Sequence, residues 1–398
     1  MVIFLLIVLA VLILMHGYSG LRLIPTLGLP PPWKAIAWGV LAAMMLLPPL
    51  PIIMRARGYE NIFTDILAAI GYTSMGFFSL LFMIVVARDL AWLVLTLGAK
   101  ALAWFQSFQA DAVAPIPFDP GRRRFIIQMM NLGLLSATGL ATAWGLYEAR
   151  RRPTVFEMDI PIPNLPADLQ GFRIIQISDL HVGPTLKAGW VGQVVELVNS
   201  LNPDLVAFTG DLGDGTAEYL RRDVAPLADM RAPHGVYFCT GNHEYYSGLD
   251  DWLAEIKRLG MTTLNNEHTV LEHGAGRIML AGVTDLTAHQ VHPDYATDPD
   301  AAAANAPDCH VRLLLAHQPG SIHAAARLGF HLMLCGHTHG GQFHPFSLAV
   351  RAVHPYIAGL HNHDGTWVYV NRGTGYWGPP MRIGIPPEVT VVRLVAKA

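Results

Sequence analysis

Three cysteines in 398 residues, with no CxxC pair, are too few for a disulfide framework or a thiolate metal site. Charge is scarce too. Asp, Glu, Lys and Arg make up 14% of the chain, and a net charge of −3 gives no sign of nucleic acid binding. No internal repeat or low-complexity tract occurs, which removes solenoids and fibrous arrays. What is abundant is apolar side chain, 52% of all residues. The apolar excess lies almost entirely before Arg150.

Uncharged apolar runs of about 20 residues read as transmembrane helices. Four stretches fit: 2–21, 35–54, 66–87 and 125–147. A fifth, 90–108, carries Lys100 near its middle, at an insertion cost of about 3 kcal/mol. An amphipathic interfacial helix is the alternative there. The chain therefore divides into a transmembrane region of four or five helices (1–150), a linker and edge strand (151–171) and a second domain (172–398). The first run lacks a basic start and a small-residue cleavage site, so an uncleaved anchor is expected rather than a signal peptide. With five spans, Lys and Arg divide almost evenly between the two sides. "RRRFI" at 122–126 resembles a twin-arginine export signal. Read as that signal or as plain flanking charge, it places Arg122–Arg124 inside. The expectation is a multi-pass cell (inner) membrane protein with its second domain extracytoplasmic; the cytoplasmic side is the alternative.

After Arg152 the chain changes character. Short apolar runs predict strands at 173–178, 205–209, 236–240, 278–283, 311–316, 331–335, 367–371 and 389–394. Helices are predicted near 187–200, 216–230, 249–259 and 320–329. This alternation predicts a layered α/β domain. In such domains ligands bind beyond the carboxyl ends of the strands, and the polar residues gather there. "RIIQIS" leads into Asp179 and His181, and "LVAFT" into Asp211. "VYFCT" leads into Asn242 and His243, "VRLLLA" into His317, and "HLMLC" into His337 and His339. A lone strand-end Asp is usually a cap or turn former. Five strand ends delivering Asp, Asn and His together are not explained that way.

Carboxylate, carboxamide and imidazole without thiolate suit Mn, Fe or Zn. Asp179, His181, Asp211, Asn242, His317, His337 and His339 exceed one tetrahedral site. They suit two divalent ions sharing a carboxylate, an arrangement that clamps phosphoryl oxygens in an in-line displacement. Gly210, Gly241 and Gly336 permit the tight turns that aim these side chains.

The blocks "DLH", "GDLGD", "GNHE", a strand-end His and "GHTH" resemble the calcineurin-like metallophosphoesterases over about 173–394. "SDLHVG", "GNHEYY", "GHTHGGQFHPF" and "GTGYWGPPMR" are similar to the YkuE-like membrane-associated branch. Its neighbours include exported phosphodiesterases and UDP-2,3-diacylglucosamine pyrophosphatases. The resemblance implies a metallophosphoesterase-type β-sandwich flanked by helices, preceded by the all-α membrane region. It also implies roles. Asp179, His181 and His339 would hold one metal, Asn242, His317 and His337 the second, and Asp211 both. His243 would protonate the leaving oxygen, oriented by Asp214. In the protein Ser/Thr phosphatases an Arg follows the position of Asp214; here Gly215 stands there, which argues against a phosphoprotein substrate.

The expected activity is hydrolysis of a phosphomonoester, phosphodiester or pyrophosphate. Tethering favours a lipid-linked or cell-envelope substrate, with UDP-2,3-diacylglucosamine the leading specific case. The alternatives are a nucleotide phosphodiesterase acting on soluble substrate and a catalytically degenerate metal-binding sensor. The bilayer is an expected partner; nucleic acid and protein partners are not. His344, His354, His361 and His363 read as solvated loop residues more than as lining of the site mouth. The polar, Ala-rich stretch 287–307, with His289 and His292, reads as a mobile surface loop, with a substrate lid as the alternative. Tyr376, Trp377 and Pro379 read equally as packing or as an apolar wall for substrate.

Overall fold

The computed structural model describes residues 2–108, 119–344 and 346–397. The chain forms two compact units, residues 1–57 with 67–144, and residues 58–66 with 145–398. The first is helical: α1 (Val2–Leu23), α2 (Pro31–Leu46), α3 (Pro49–Ala56), α4 (Ile62–Gln106) and α5 (Pro120–Arg150). Proline opens α2, α3 and α5, where its missing N–H costs nothing. Four helical stretches, with α2 and α3 counted as one, are long and apolar enough to cross a membrane.

The stretches expected as separate spans at 66–87 and 90–108 form one continuous helix, α4. The charges that seemed to divide them are paired sideways instead. Asp89 accepts from Arg22 Nε at 2.6 Å and from the Tyr18 hydroxyl at 2.7 Å, while Arg88 donates to Asn131. Paired charges do not end a helix. At 45 residues and ~1.5 Å per residue, α4 is about twice the length that a ~30 Å hydrocarbon core needs.

The second unit contains β1 (Thr154–Ile162), β2 (Arg173–Ile177), α6 (Ala188–Ser200), β3 (Leu205–Phe208), α7 (Ala217–Val224), β4 (Val236–Phe238), α8 (Asn242–Tyr246), α9 (Leu249–Arg258), β5 (Thr262–Thr263), β6 (Glu267–His273), β7 (Gly276–Gly282), α10 (Pro299–Ala303), β8 (Val311–Leu315), α11 (Ile322–Arg327), β9 (Leu332–Cys335), α12 (Phe346–Val353), β10 (Gly359–His363), β11 (Thr366–Val370) and β12 (Glu388–Ala396). They build two six-stranded sheets, ordered β1-β12-β2-β3-β4-β5 and β10-β11-β9-β8-β7-β6. β1 is an edge strand as expected, paired in parallel with β12 along its whole length.

Alternation along the strands places the cores. Ile174, Leu205 and Ala207 face Ile278, Leu313 and Leu334 between the sheets. Ile175, Ile177 and Phe208 face the other way, against Val191, Leu220 and Ile256 of the helices. Met279, Leu314 and Met333 of the second sheet pack on Ile322 and Ala325. β2, β3 and β4 are parallel, as are β7, β8, β9 and β11. Their carboxyl ends therefore open on one edge. Gln176 ties the sheets together there, donating to Thr209 Oγ1 at 3.0 Å and Cys335 O at 2.9 Å.

Three expectations need correction. Predicted helix 216–230 stops at Val224 and continues as a 3₁₀ turn, because Pro226 cannot extend it. Stretch 287–307 is not a featureless loop. Asp298 caps α10 and Ala302 is fully buried beneath the second sheet. β6 and β10 escape the sequence pattern because edge strands with one exposed face carry polar residues.

Candidate metal centre

Each candidate ligand follows a parallel strand, and five of them have left-handed backbones: φ is 54° at Asp179, 46° at His181, 58° at Asp211, 70° at His337 and 50° at His339. Side chains other than glycine avoid this region, and such strain collects at functional sites. Two glycines make room for it. A Cβ on Gly241 would lie 2.2 Å from Asp211 Oδ1, and one on Gly336 would lie 2.2 Å from Asp179 Oδ2.

The side chains converge in two groups. In the first, His181 Nε2 lies 3.0 Å from His339 Nε2, and Asp179 Oδ1 lies 3.5 Å from His339 Nε2. In the second, His317 Nε2 lies 3.1 Å from His337 Nδ1 and 3.2 Å from Asn242 Oδ1. Asp211 stands between them, with one oxygen, Oδ2, 3.6 Å from His181 Nε2 and 3.2 Å from His317 Nε2. All seven predicted ligands are therefore brought together.

The donor set fits cations. His181 Nδ1 donates to Asp214 at 2.8 Å and His317 Nδ1 donates to Thr209 O at 2.7 Å, so both Nε2 atoms face the other candidate ligands. Burial and neighbouring His317 push the His337 imidazole down to about 3, and burial with His181 pushes His339 well below its usual value. Both are thus neutral, the form that binds metal. Lone pairs and carboxylate oxygens this close repel one another unless a cation lies among them.

Asp214 does more than orient His243. Its Oδ1 lies 2.8 Å from His243 Nδ1 and also 2.8 Å from His181 Nδ1. It is a shared acceptor for the candidate ligand His181 and for the one histidine of "GNHE". Burial alone lowers the His243 imidazole, but Asp211 and Asp214 outweigh it and hold it up at about 9.

Sequence reasoning passed over two residues. Glu244 is fully buried, and its carboxylate accepts from the backbone N–H of Asp211 (3.1 Å), Leu212 (2.8 Å) and Gly241 (2.7 Å). It fixes the loop that carries Asp211. Glu244→Ala leaves three buried donors unmet at ~1–3 kcal/mol each. Thermal melting should show a loss of about 3 kcal/mol or more; an unchanged melting temperature would contradict this. Arg382 is also fully buried. It donates to the carbonyls of Gly373 at 3.1 Å, Arg372 at 2.8 Å and Ile385 at 3.3 Å, and lies 3.3 Å from His339 Nδ1. The "GYWGPPMR" block was the available signal for Arg382, and the last residue of "GNHE" for Glu244.

Of the remaining candidates, His354 lies against the site rather than in a solvated loop, and the others lie apart from the ligand groups. His354 packs 5.2 Å from His337, centroid to centroid. His344 bonds Ser347, while His361 and His363 bond Ala358 O and the Tyr356 hydroxyl. His292 packs near Tyr245 and Tyr295, away from the ligands. Tyr376 is core, whereas Trp377 is 47% exposed and sits 5.8 Å from His243.

A two-sheet sandwich with a paired carboxylate–imidazole site on one edge defines a metal-dependent hydrolase. The model of the calcineurin-like phosphoesterases matches residues 172–341. A metallophosphoesterase of Helicobacter pylori is 38% identical over 289 residues, 72% of this chain and 76% of the relative. The transmembrane protein with metallophosphoesterase domain of Bos taurus is 38% identical over 270 residues; the match covers 65% of this chain and 61% of the relative. YkuE of Bacillus subtilis is 31% identical over 287 residues, 69% of this chain and 97% of the relative. Among solved structures, a 5′-nucleotidase precursor from Thermus thermophilus aligns at 18% identity and a TM-score of 0.39, over 56% of this chain and 54% of that one. The chain belongs to the calcineurin-like metallophosphoesterases, hydrolases of phosphate esters.

Proposed function

We propose that this chain is a membrane-anchored dinuclear phosphoesterase acting on a phosphate ester or anhydride carried at the bilayer surface, with UDP-2,3-diacylglucosamine as the leading specific substrate. The observation that carries the dinuclear reading is Asp211 Oδ2, within 3.6 Å of His181 Nε2 and 3.2 Å of His317 Nε2. One carboxylate serves both groups of nitrogen ligands.

Asp179, His181 and His339 would hold one ion, Asn242, His317 and His337 the other, and Asp211 both. Two such ions would supply Lewis acidity for the phosphoryl oxygens and activate water. His243 enters as imidazolium. It donates its proton to the departing oxygen, while Asp214 holds the ring and stabilises its charge. With no arginine at Gly215, the phosphate has one grip fewer and depends more on the ions. The membrane-length helices support a bilayer-borne substrate. Arg122–Arg124 at the start of α5 support an extracytoplasmic domain in the inner membrane. Glu60 bonds Thr216 and Asp65 bonds Lys187, which supports residues 58–66 and the domain lying on one side of the bilayer.

Chelation tests this. Full-length protein in mixed micelles, stripped of metal, should hydrolyse neither bis-p-nitrophenyl phosphate nor UDP-2,3-diacylglucosamine. Mn, Fe or Zn should restore both activities. Undiminished turnover after both ions are removed would refute the reading.

A further inference from the structure

α12 begins seven residues after His339 and turns apolar side chains to the outside. Phe346 is 53% exposed, Leu348 66% and Val353 78%. Its one buried residue, Ser347, is pressed against Gly341 of the metal-ligating turn. An eight-residue helix with this much bare apolar surface marks an interaction site on a soluble domain.

Contacts within the second unit say what lies against it. Phe343 pairs with Ile383 in an isolated bridge, and its ring stacks on Phe346 at 5.7 Å. Met381 and Ile383 pack on Gly145, and Arg382 N donates to Gly145 O at 3.0 Å. Gly145 lies in the last turns of α5, a membrane-length helix whose end, from Gly145 to Arg150, belongs to this unit. Residues 381–383 therefore touch three things at once: the end of a membrane helix, the residues leading into α12 and, through Arg382, the metal-ligand candidate His339. A second segment that adjoins the apolar helices also belongs to this unit. Glu60, between α3 and α4, accepts from Thr216 N at 3.1 Å, two residues beyond Asp214. Arg351 on α12, Arg150 at the end of α5 and Arg152 just beyond it give this unit positive charge of the kind that anionic headgroups attract.

We propose that α12 lies in the headgroup–acyl boundary of the bilayer, with Phe346, Leu348 and Val353 immersed, and that it opens the metal site toward the phosphate of a lipid-borne substrate. The substrate half rests on the phosphoesterase reading above; the docking half does not.

The test uses full-length protein in nanodiscs of phosphatidylcholine and phosphatidylglycerol. An environment-sensitive fluorophore is placed at Leu348→Cys in a Cys309→Ser background; Cys239 and Cys335 are buried. The fluorophore should emit as in an apolar medium and be quenched by nitroxide-labelled lipid. The same fluorophore at Asp364→Cys, a side chain 88% exposed, should behave as in water. Water-like, unquenched emission at 348 would overturn the proposal. So would emission shielded from water yet untouched by the lipid quencher, since protein would then cover the face. Leu348→Asp should lower the ratio of UDP-2,3-diacylglucosamine to bis-p-nitrophenyl phosphate hydrolysis by at least ~10-fold, the scale of one leucine lost from an apolar interface. An unchanged ratio would overturn the substrate half. Wild-type protein inert toward the aryl substrate counts against the phosphoesterase reading instead, and quenching still decides the docking.

Discussion

Replacing Asp211 by alanine is expected to abolish hydrolysis and to empty both metal positions together. The same oxygen of Asp211 faces His181 in one group and His317 in the other, and its second oxygen accepts from the His243 backbone N–H at 2.9 Å. Removing it would take a candidate ligand from each group and the carboxylate that faces His181 and His317. If the ions supply several kcal/mol of transition-state stabilisation, about 5.5 kcal/mol corresponds to a loss of ~10⁴-fold in kcat/KM. Metal content should fall from two ions per chain to fewer than one. A variant that keeps two ions and a tenth of the activity would show that Asp211 bridges nothing.

His243→Ala is expected to cut kcat by ~10²–10⁴-fold while leaving two ions bound. The loss should depend on the leaving group. It should be largest for an alkyl ester, whose oxygen needs a proton, and small for p-nitrophenolate, which leaves without one. pH adds a signature. A group whose folded pKa is raised is protonated at neutral pH and loses its proton as pH climbs. Asp211 and Asp214 hold His243 at about 9 against burial, and two adjacent cations would pull it back. The basic limb of kcat should therefore fall at or below pH 9. It should be absent in His243→Ala and shifted further down in Asp214→Asn. Equal losses for alkyl and aryl esters would remove His243 from the proton-transfer role.

The residues of this site were legible in the sequence for a physical reason. Parallel strands end on one sheet edge, and an apolar run that stops at Asp, Asn or His declares where its polar end lies. Legible spacing does not give conformation. Nothing in "SDLH" or "GHTH" states that Asp179, His181, His337 and His339 have positive φ, since that depends on loops from other strands holding them. Glu244 was hidden because it serves backbone groups of Asp211 and Leu212, more than thirty residues earlier. In the membrane region, Arg88 and Asp89 looked like a helix boundary because charge is costly in lipid. Their partners Arg22, Tyr18 and Asn131 lie on α1 and α5, and no local window contains them. The same limit hid Glu60 and Asp65. In the fold, Glu60 bonds Thr216 and Asp65, in the first turn of α4, bonds Lys187 and Tyr219.

The most direct measurement is anomalous diffraction from full-length protein crystallised with Mn²⁺. Two anomalous peaks about 4 Å apart are predicted, with Asp211 between them, Asp179, His181 and His339 around one, and Asn242, His317 and His337 around the other. A single peak, or two peaks that do not share Asp211, would contradict the account.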